Sequence, residues 1–107
     1  MKHEDFSVLL EQRLGKTRDT MSTKGDGYRS EDDQFHNFKA AGRKRNETPE
    51  KALMGMKVKH DVSVDDIVDN LEKGIIPTRK LIDEKIGDEI VYLTLLEGLL
   101  VERIRNG

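Results

Sequence analysis

The stretch from Ile90 to Val101, near the carboxyl end, restricts the fold more than any other part of the sequence. Only Thr94, Glu97 and Gly98 within it are not large and apolar. On a helix, such a stretch spreads apolar side chains over a very wide arc of the surface. A helix of this kind needs neighbours on several sides, so its burial determines how the rest of the chain must be arranged.

The chain has a limited number of large apolar residues that could cover this helix. Leu, Ile, Val and Phe number 28 among its 107 residues, and 21 of these lie in residues 51–107. This content is above the level of disordered chains, and the length suits one domain with one modest core. We therefore expect a single helical domain, residues 1–107, in which residues 1–23 form a peripheral N-terminal helix and residues 24–107 form the core.

Two helices are predicted in the first half of the chain. Phe6, Leu10 and Leu14 recur at helical spacing and indicate an amphipathic first helix. Ser30, followed by Asp33 three positions later, resembles a capping box that opens a second helix.

Two longer helices are predicted in the second half. Thr48 is a favourable N-cap with Pro49 at the first helical position, and this third helix should end at Gly74. Thr78 can cap a fourth helix that runs from about residue 79 to about residue 105. Because no stretch alternates with a period of two, the sequence predicts an all-α, four-helix bundle-like domain.

The fourth helix carries two neighbouring stripes of side chains. One contains Ile82, Ile86, Ile90 or Glu89, Leu93, Leu96 or Glu97, Leu100 and Ile104, and the other contains Glu84, Asp88, Val91, Leu95 and Leu99. A monomer with few apolar residues in its first half has little to cover so wide an arc, and a second copy of the same helix supplies a simple cover. We therefore expect a homodimer or a larger homo-oligomer that completes the bundle.

Composition excludes several classes of function. A net charge of −2 and a pI near 5.9 give no broad positive field, so nucleic acid is not an expected partner. The absence of cysteine rules out disulfides, thiolate zinc sites and cysteine nucleophiles. The first residues lack an apolar signal core and no apolar run reaches the length of a membrane span, so we expect a cytoplasmic protein with no membrane partner.

Two acidic residues of the fourth helix form the centre of the candidate site. Glu84 and Asp88 are four positions apart, so they project from one face. Their carboxylates repel each other, and a divalent cation such as Mg²⁺, which prefers carboxylate oxygens, would relieve that repulsion. The alternative is that both are solvated near the helix start, where the helix dipole favours negative charge.

Polar residues of the third helix extend this candidate site. Lys59, Ser63 and Asp66 recur along one line of the helix, and Asp69 lies three positions further. They form either a solvated face or a polar strip that shares a cleft with the acid pair, if the third and fourth helices pack antiparallel. Carboxylates for a cation and a lysine for an anion are what a metal-bound phosphate needs.

The acid pair belongs to a longer pattern that resembles a known family. The stretch "EKIGDEIVYLTLLE" is similar to the second acidic motif of the MazG-like all-α nucleotide pyrophosphatases, in which an acidic helix start leads into an apolar helix. The succession "GDGYRSEDDQFHNFKAAG", "TPEKALMGMKVKH" and "LIDEKIGDEIVYLTLLE" resembles small phage and prophage proteins that are regarded as relatives of that superfamily or as nucleotide-modification-associated proteins. The resemblance covers about residues 24–100.

The resemblance implies a helical, oligomeric protein that binds a nucleotide, with magnesium between acidic side chains and the triphosphate. By position, Asp88 matches the most characteristic acid of the family, Glu84 matches a nearby acid, and Lys59 matches a basic residue of the preceding helix. Tyr28 opens a loop-helix segment, continuing to Phe38, that the resemblance places beside the site.

The acidic residues also depart from the family pattern. The enzymes carry a further Glu-X-X-Glu pair on an earlier helix, whereas this chain has Asp65, Asp66 and Asp69 at a different spacing. Lys85 stands where an acid is frequent. These departures favour nucleotide binding over hydrolysis.

The sequence is therefore consistent with three alternative functions. The first is magnesium-dependent hydrolysis of a nucleoside triphosphate, the second is non-catalytic sequestration of a host nucleotide signal, and the third is a helical protein-interaction module. For the first, the predicted site consists of Glu84 and Asp88 as catalytic residues and metal ligands, Asp66 and Asp69 as further metal ligands, and Lys59, Ser63 and Tyr28 as ligand-binding residues.

Overall fold

The computed structural model describes residues 1–23, 29 and 32–107. In chain order its helices are α1 (His3–Thr23), α2 (His36–Arg45), α3 (Pro49–Leu71) and α4 (Arg79–Asn106). The described residues contain no strand, so the predicted all-α, four-helix bundle-like fold is confirmed. Within the same ranges, no helix is both long enough and apolar enough to span a bilayer.

The predicted caps set the starts of the two long helices. The Thr48 hydroxyl accepts a hydrogen bond from the Lys51 amide at 3.1 Å, and the Thr78 hydroxyl accepts one from the Leu81 amide at 3.1 Å. Gly74 follows α3 with a φ of 77°, a conformation that glycine adopts without strain. The bounds predicted for the third and fourth helices are confirmed.

The second helix begins later than predicted. Ser30 lies outside the described residues, and the first helical residue of α2 is His36. The Asp33 carboxylate accepts a hydrogen bond from the Phe35 amide at 3.0 Å. It also forms an ion pair with the Lys39 ammonium at 2.8 Å. Both contacts favour the charged carboxylate, and the Lys39 ammonium is the larger cause that lowers the pKa of Asp33. Asp33 therefore holds the turn before α2 instead of lying inside the helix.

The core lies where α2, α3 and α4 meet. Its buried members are Phe35, Phe38, Leu53, Val91, Tyr92, Leu95 and Leu99. Phe38 meets Tyr92 edge-on, with ring centroids 6.5 Å apart. Glu50 at the start of α3 binds Arg103 near the end of α4, with oxygen to nitrogen distances of 2.5 and 2.8 Å, so the two helices run antiparallel as predicted.

Only one of the two stripes on α4 faces this core. Val91, Leu95 and Leu99 are buried, whereas Leu93 and Leu100 of the neighbouring stripe are about half exposed. The radius of gyration is 16.1 Å, against about 13 Å for a globular chain of this size. The monomer is therefore an open arrangement that leaves part of its longest helix uncovered.

A glycine on α4 leaves room for the ring of Phe35, the residue just before α2. A methyl group added at Gly98 would lie 2.5 Å from the Cζ atom of Phe35, whereas one added at Gly55 of α3 would meet nothing within 4 Å. We expect Gly98→Ala to lower the free energy of unfolding by about 1–2 kcal/mol, because the Phe35 ring must move.

The matched control is Gly55→Ala, which we expect to raise the free energy of unfolding by about 0.5–1 kcal/mol through helix propensity alone. Urea unfolding of the two variants measures both values. Equal stability of the two variants would contradict the packing described for Phe35.

Candidate functional site

A cleft of about 380 Å³ lies between α1 and the first half of α4. The residues that line this α1–α4 cleft are Arg13, Lys16, Thr17, Asp19 and Thr20 of α1 and Lys80, Asp83, Glu84, Gly87 and Asp88 of α4. The predicted acid pair therefore faces a cleft, and the cleft also contains three basic side chains.

Helical spacing explains how each helix presents these residues. On α4, the lining positions recur at steps of three and four from Lys80 to Asp88, which is one face of a helix. α1 approaches this face closely at Gly87, where an added methyl group would lie 2.8 Å from a guanidinium nitrogen of Arg13. A larger residue at this position would push the Arg13 side chain out of its place in the cleft.

Asp83 holds the basic residues at one side of the cleft. Its carboxylate lies 2.7 Å from the Lys16 ammonium, 3.0 Å from the Arg79 guanidinium and 3.4 Å from the Arg13 guanidinium. Arg13 also donates to the Asp83 carbonyl oxygen at 3.3 Å. The hydrogen bond from Lys16 is the main cause that lowers the pKa of Asp83, and the charges of the two arginines add to it.

The two acids of the predicted pair have different surroundings. The Glu84 carboxylate lies 3.4 Å from the Lys85 ammonium and is more than half exposed. The Asp88 carboxylate is less exposed and lies 3.4 Å from Nδ1 of His60, a residue of α3. The His60 ring lies against the core residue Tyr92, with ring centroids 4.9 Å apart and the planes tilted by 38°, so His60 links Asp88 to the core.

A buried lysine lies beside this contact, between α3 and α4. The Lys57 ammonium is 2.5 Å from the Asp61 carboxylate and 2.8 Å from one oxygen of Glu89. These two carboxylates, Asp61 first, raise the pKa of Lys57, and Lys57 in turn lowers the pKa of Asp61. The other oxygen of Glu89 is enclosed and has no hydrogen-bond partner among the described residues.

The other predicted site residues that the structure describes are not among those that line the cleft. Lys59, Asp66 and Asp69 are exposed on α3, and the Ser63 hydroxyl donates to the Lys59 carbonyl oxygen at 3.0 Å. Tyr28 lies outside the described residues. Their proposed roles in ligand binding stay predictions.

The predicted set of four metal ligands is not brought together. Within residues 1–23, 29 and 32–107, no three acidic, histidine or cysteine side chains are grouped so that they could hold a metal ion. Burial of Leu53 and Lys57 sets the rotation of α3, and this rotation leaves Asp66 and Asp69 exposed to solvent. Glu84 and Asp88 are the two predicted ligands that share the cleft.

Two carboxylates suit a cation that is shared with a ligand. Mg²⁺ in proteins is commonly bound by one or two carboxylates, with water and substrate phosphates as the other ligands. The donor set of the cleft fits this arrangement, whereas it does not fit a cation held by protein groups alone.

Sequence reasoning missed the basic side of the cleft. Arg13, Lys16 and Thr20 recur at steps of three and four, which is the signal that they share one face of α1. Thr17 lies beside them, and its hydroxyl oxygen is enclosed without a hydrogen-bond partner in the described part of the chain. The sequence predicts a peripheral first helix, and no local signal connects its polar face with Glu84 and Asp88.

In comparison with known proteins, the chain shows no significant match to a family model, a curated protein or a solved structure. The resemblance to the MazG-like superfamily therefore stays a prediction, and the proposals below depend on the residues of the chain itself.

The buried lysine generates a prediction about stability and pH. Lys57→Met keeps an unbranched apolar stem but leaves Asp61 and Glu89 without their shared cation. We expect the free energy of unfolding at pH 7 to fall by about 1–3 kcal/mol, because the Glu89 carboxylate is largely enclosed. Lys59→Met, at an exposed position of the same helix, is the matched control and should change stability by less than about 0.5 kcal/mol.

The effect of Lys57→Met should depend on pH with a definite sign. The pKa of Asp61 is lowered in the folded protein, so its contribution to stability is present above its unfolded pKa of about 3.9 and is lost as the pH falls through the lower folded value. The difference between wild type and Lys57→Met should therefore shrink below about pH 4. Urea unfolding at several pH values measures this, and a difference that grows in acid would contradict the ion pair.

Proposed function

We propose that this chain is a nucleotide-binding all-α protein whose site is the α1–α4 cleft, and that magnesium accompanies the nucleotide. One observation carries the proposal. The predicted acid pair, Glu84 and Asp88, lines the same cleft as three cationic side chains. The cations are Arg13, Lys16 and Lys80, and the cleft also contains the acids Asp19 and Asp83. Helices from opposite ends of the chain supply these groups, and the combination matches the two needs of a metal-bound phosphate.

The two sides of the cleft would bind different parts of the ligand. Glu84 and Asp88 would hold the cation, which would also coordinate phosphate oxygens and so reduce the repulsion between the ligand and the acid pair. Arg13 and Lys16 would bind the phosphates directly, as they bind the carboxylate of Asp83 in this structure. The volume of about 380 Å³ is within the range of small-molecule sites.

Binding without turnover is the form of this proposal that the acidic residues favour. In the described chain no third acidic or histidine side chain joins Glu84 and Asp88 in a metal-binding group. Bound magnesium would supply Lewis-acid activation of a phosphoryl oxygen. Magnesium-dependent hydrolysis to a nucleoside monophosphate and pyrophosphate is the alternative that the experiment separates from binding.

The proposal also includes the setting of the protein. We propose that it acts as a homo-oligomer in the cytoplasm, which would be the host cytoplasm if a phage encodes it. The uncovered stripe on α4 supports self-association, and a chain without cysteine suits a reducing compartment.

Thermal unfolding of the purified protein tests the proposal. The protein is heated with a panel of nucleoside mono-, di- and triphosphates and with inorganic triphosphate, each with and without magnesium. We expect at least one nucleotide with magnesium to raise the unfolding temperature by several degrees, because a ligand that binds only the folded state stabilises it. Inorganic triphosphate separates simple phosphate binding from recognition of the nucleoside.

Three variants connect the result to the cleft. Asp88→Asn and Lys80→Ala should abolish the rise, whereas Asp69→Asn, at an exposed acid of α3 outside the cleft, should keep it. Chromatography of the same mixtures detects products, and products that disappear in Asp88→Asn would identify an enzyme. If no nucleotide at millimolar concentration shifts the unfolding temperature, the proposed function is wrong.

A further inference from the structure

The exposed stripe of α4 repeats with the spacing of a coiled coil. Alternating steps of four and three residues connect its members, and this is the period at which helices pack side by side. We call them the α4 seam: Ile86, Ile90, Leu93, Glu97, Leu100 and Ile104. Leu93 is 50% exposed, Leu100 46% and Ile104 78%. Five of the six positions are large and apolar, yet these three side chains face solvent, whereas Ile86 and Ile90 are half-buried.

The other helices contact α4 on either side of the seam. α3 contacts the side that carries Glu89 and Tyr92, through Lys57 and His60. α1 contacts α4 at Gly87, and the ring of Phe35, just before α2, contacts Gly98. On a helical wheel the α4 seam lies between these two sides, and its second half, from Leu93 to Ile104, is exposed in the described chain.

We propose that the α4 seam pairs with the α4 seam of a second copy, antiparallel, around a two-fold axis close to residue 95. In this register Ile86 lies opposite Ile104 of the second copy, and Ile90 lies opposite Leu100 of the second copy. Leu93 lies opposite Glu97 of the second copy. Every seam position has a seam partner in one register, so the surface is self-complementary, as a two-fold interface requires.

The position of Glu97 selects the antiparallel orientation. In a parallel pair, the same residue of each copy meets at the centre of the seam, so the two Glu97 carboxylates would face each other. The antiparallel register separates them and places each beside Leu93 of the other copy, where its stem packs and its carboxylate reaches solvent.

The open shape of the monomer, with its large radius of gyration, agrees with a fold that a second copy completes.

Sedimentation equilibrium of the full chain tests the association. We expect wild type at micromolar concentration to have twice the monomer mass of 12.3 kDa. Leu93→Glu should weaken the dimer at least tenfold, because it introduces a second carboxylate into the central layer. Leu10→Glu is the matched control, since Leu10 lies on α1 and is 45% exposed, and it should leave the dimer unchanged. Circular dichroism establishes that each variant remains helical.

Engineered cysteines test the orientation, because the wild-type chain has none. In the antiparallel register, an Ile86→Cys chain mixed with an Ile104→Cys chain forms a disulfide-linked heterodimer under mild oxidation. Neither variant should cross-link with itself, since identical positions are about 27 Å apart along the helix axis. A parallel dimer gives the reverse result.

Three outcomes would overturn the inference. They are a wild-type monomer at 100 μM or above, self-cross-linking of the single variants, and a dimer that Leu10→Glu disrupts and Leu93→Glu does not. The last outcome would assign the interface to α1. The inference rests on the homo-oligomer of the proposed function and names its contact. None of these measurements involves a nucleotide, so a monomeric result would contradict the dimer and leave the proposed nucleotide binding to its own test.

Discussion

The structure depends on the burial of one stripe of α4 against α2 and α3. Leu95 and Leu99 pack with Phe38 and Leu53, and this contact sets the rotation of α4 about its axis. The rotation has two consequences for the rest of the molecule. It directs the face that carries Glu84 and Asp88 toward α1, and it leaves the α4 seam on the outside. The cleft and the uncovered surface therefore both result from the way α4 packs against α2 and α3.

Charged contacts, more than apolar packing, hold α1 in place. Among the described residues, the buried core cluster contains none from α1, and Met21 is the residue of α1 that packs against it partly buried. Arg13 and Lys16 bind Asp83 of α4 instead, while Phe6 and Leu10 of α1 are about half exposed. Such contacts weaken as salt screens them, so the position of α1 against α4 should respond to ionic strength.

The cleft and the α4 seam occupy different sides of one helix. The cleft contains Lys80, Glu84 and Asp88, and the seam begins at Ile86 and continues to Ile104. A ligand and a second copy would therefore not compete for the same side chains. The polar contacts between α3 and α4, with Lys57 at their centre, lie between the two surfaces and fix the distance between the helices.

Local patterns in the sequence determined the helices themselves. The hydroxyls of Thr48 and Thr78 cap the two long helices as their positions predict, since a cap needs only the amides of the next turn. The four-residue spacing of Glu84 and Asp88 was likewise enough to place them on one face. Only the tertiary structure decided that Arg13 and Lys16 join them, and that Lys59 and Asp66 point to solvent. The rotation of a helix about its axis is set by side chains distant in sequence, and no local pattern contains that information.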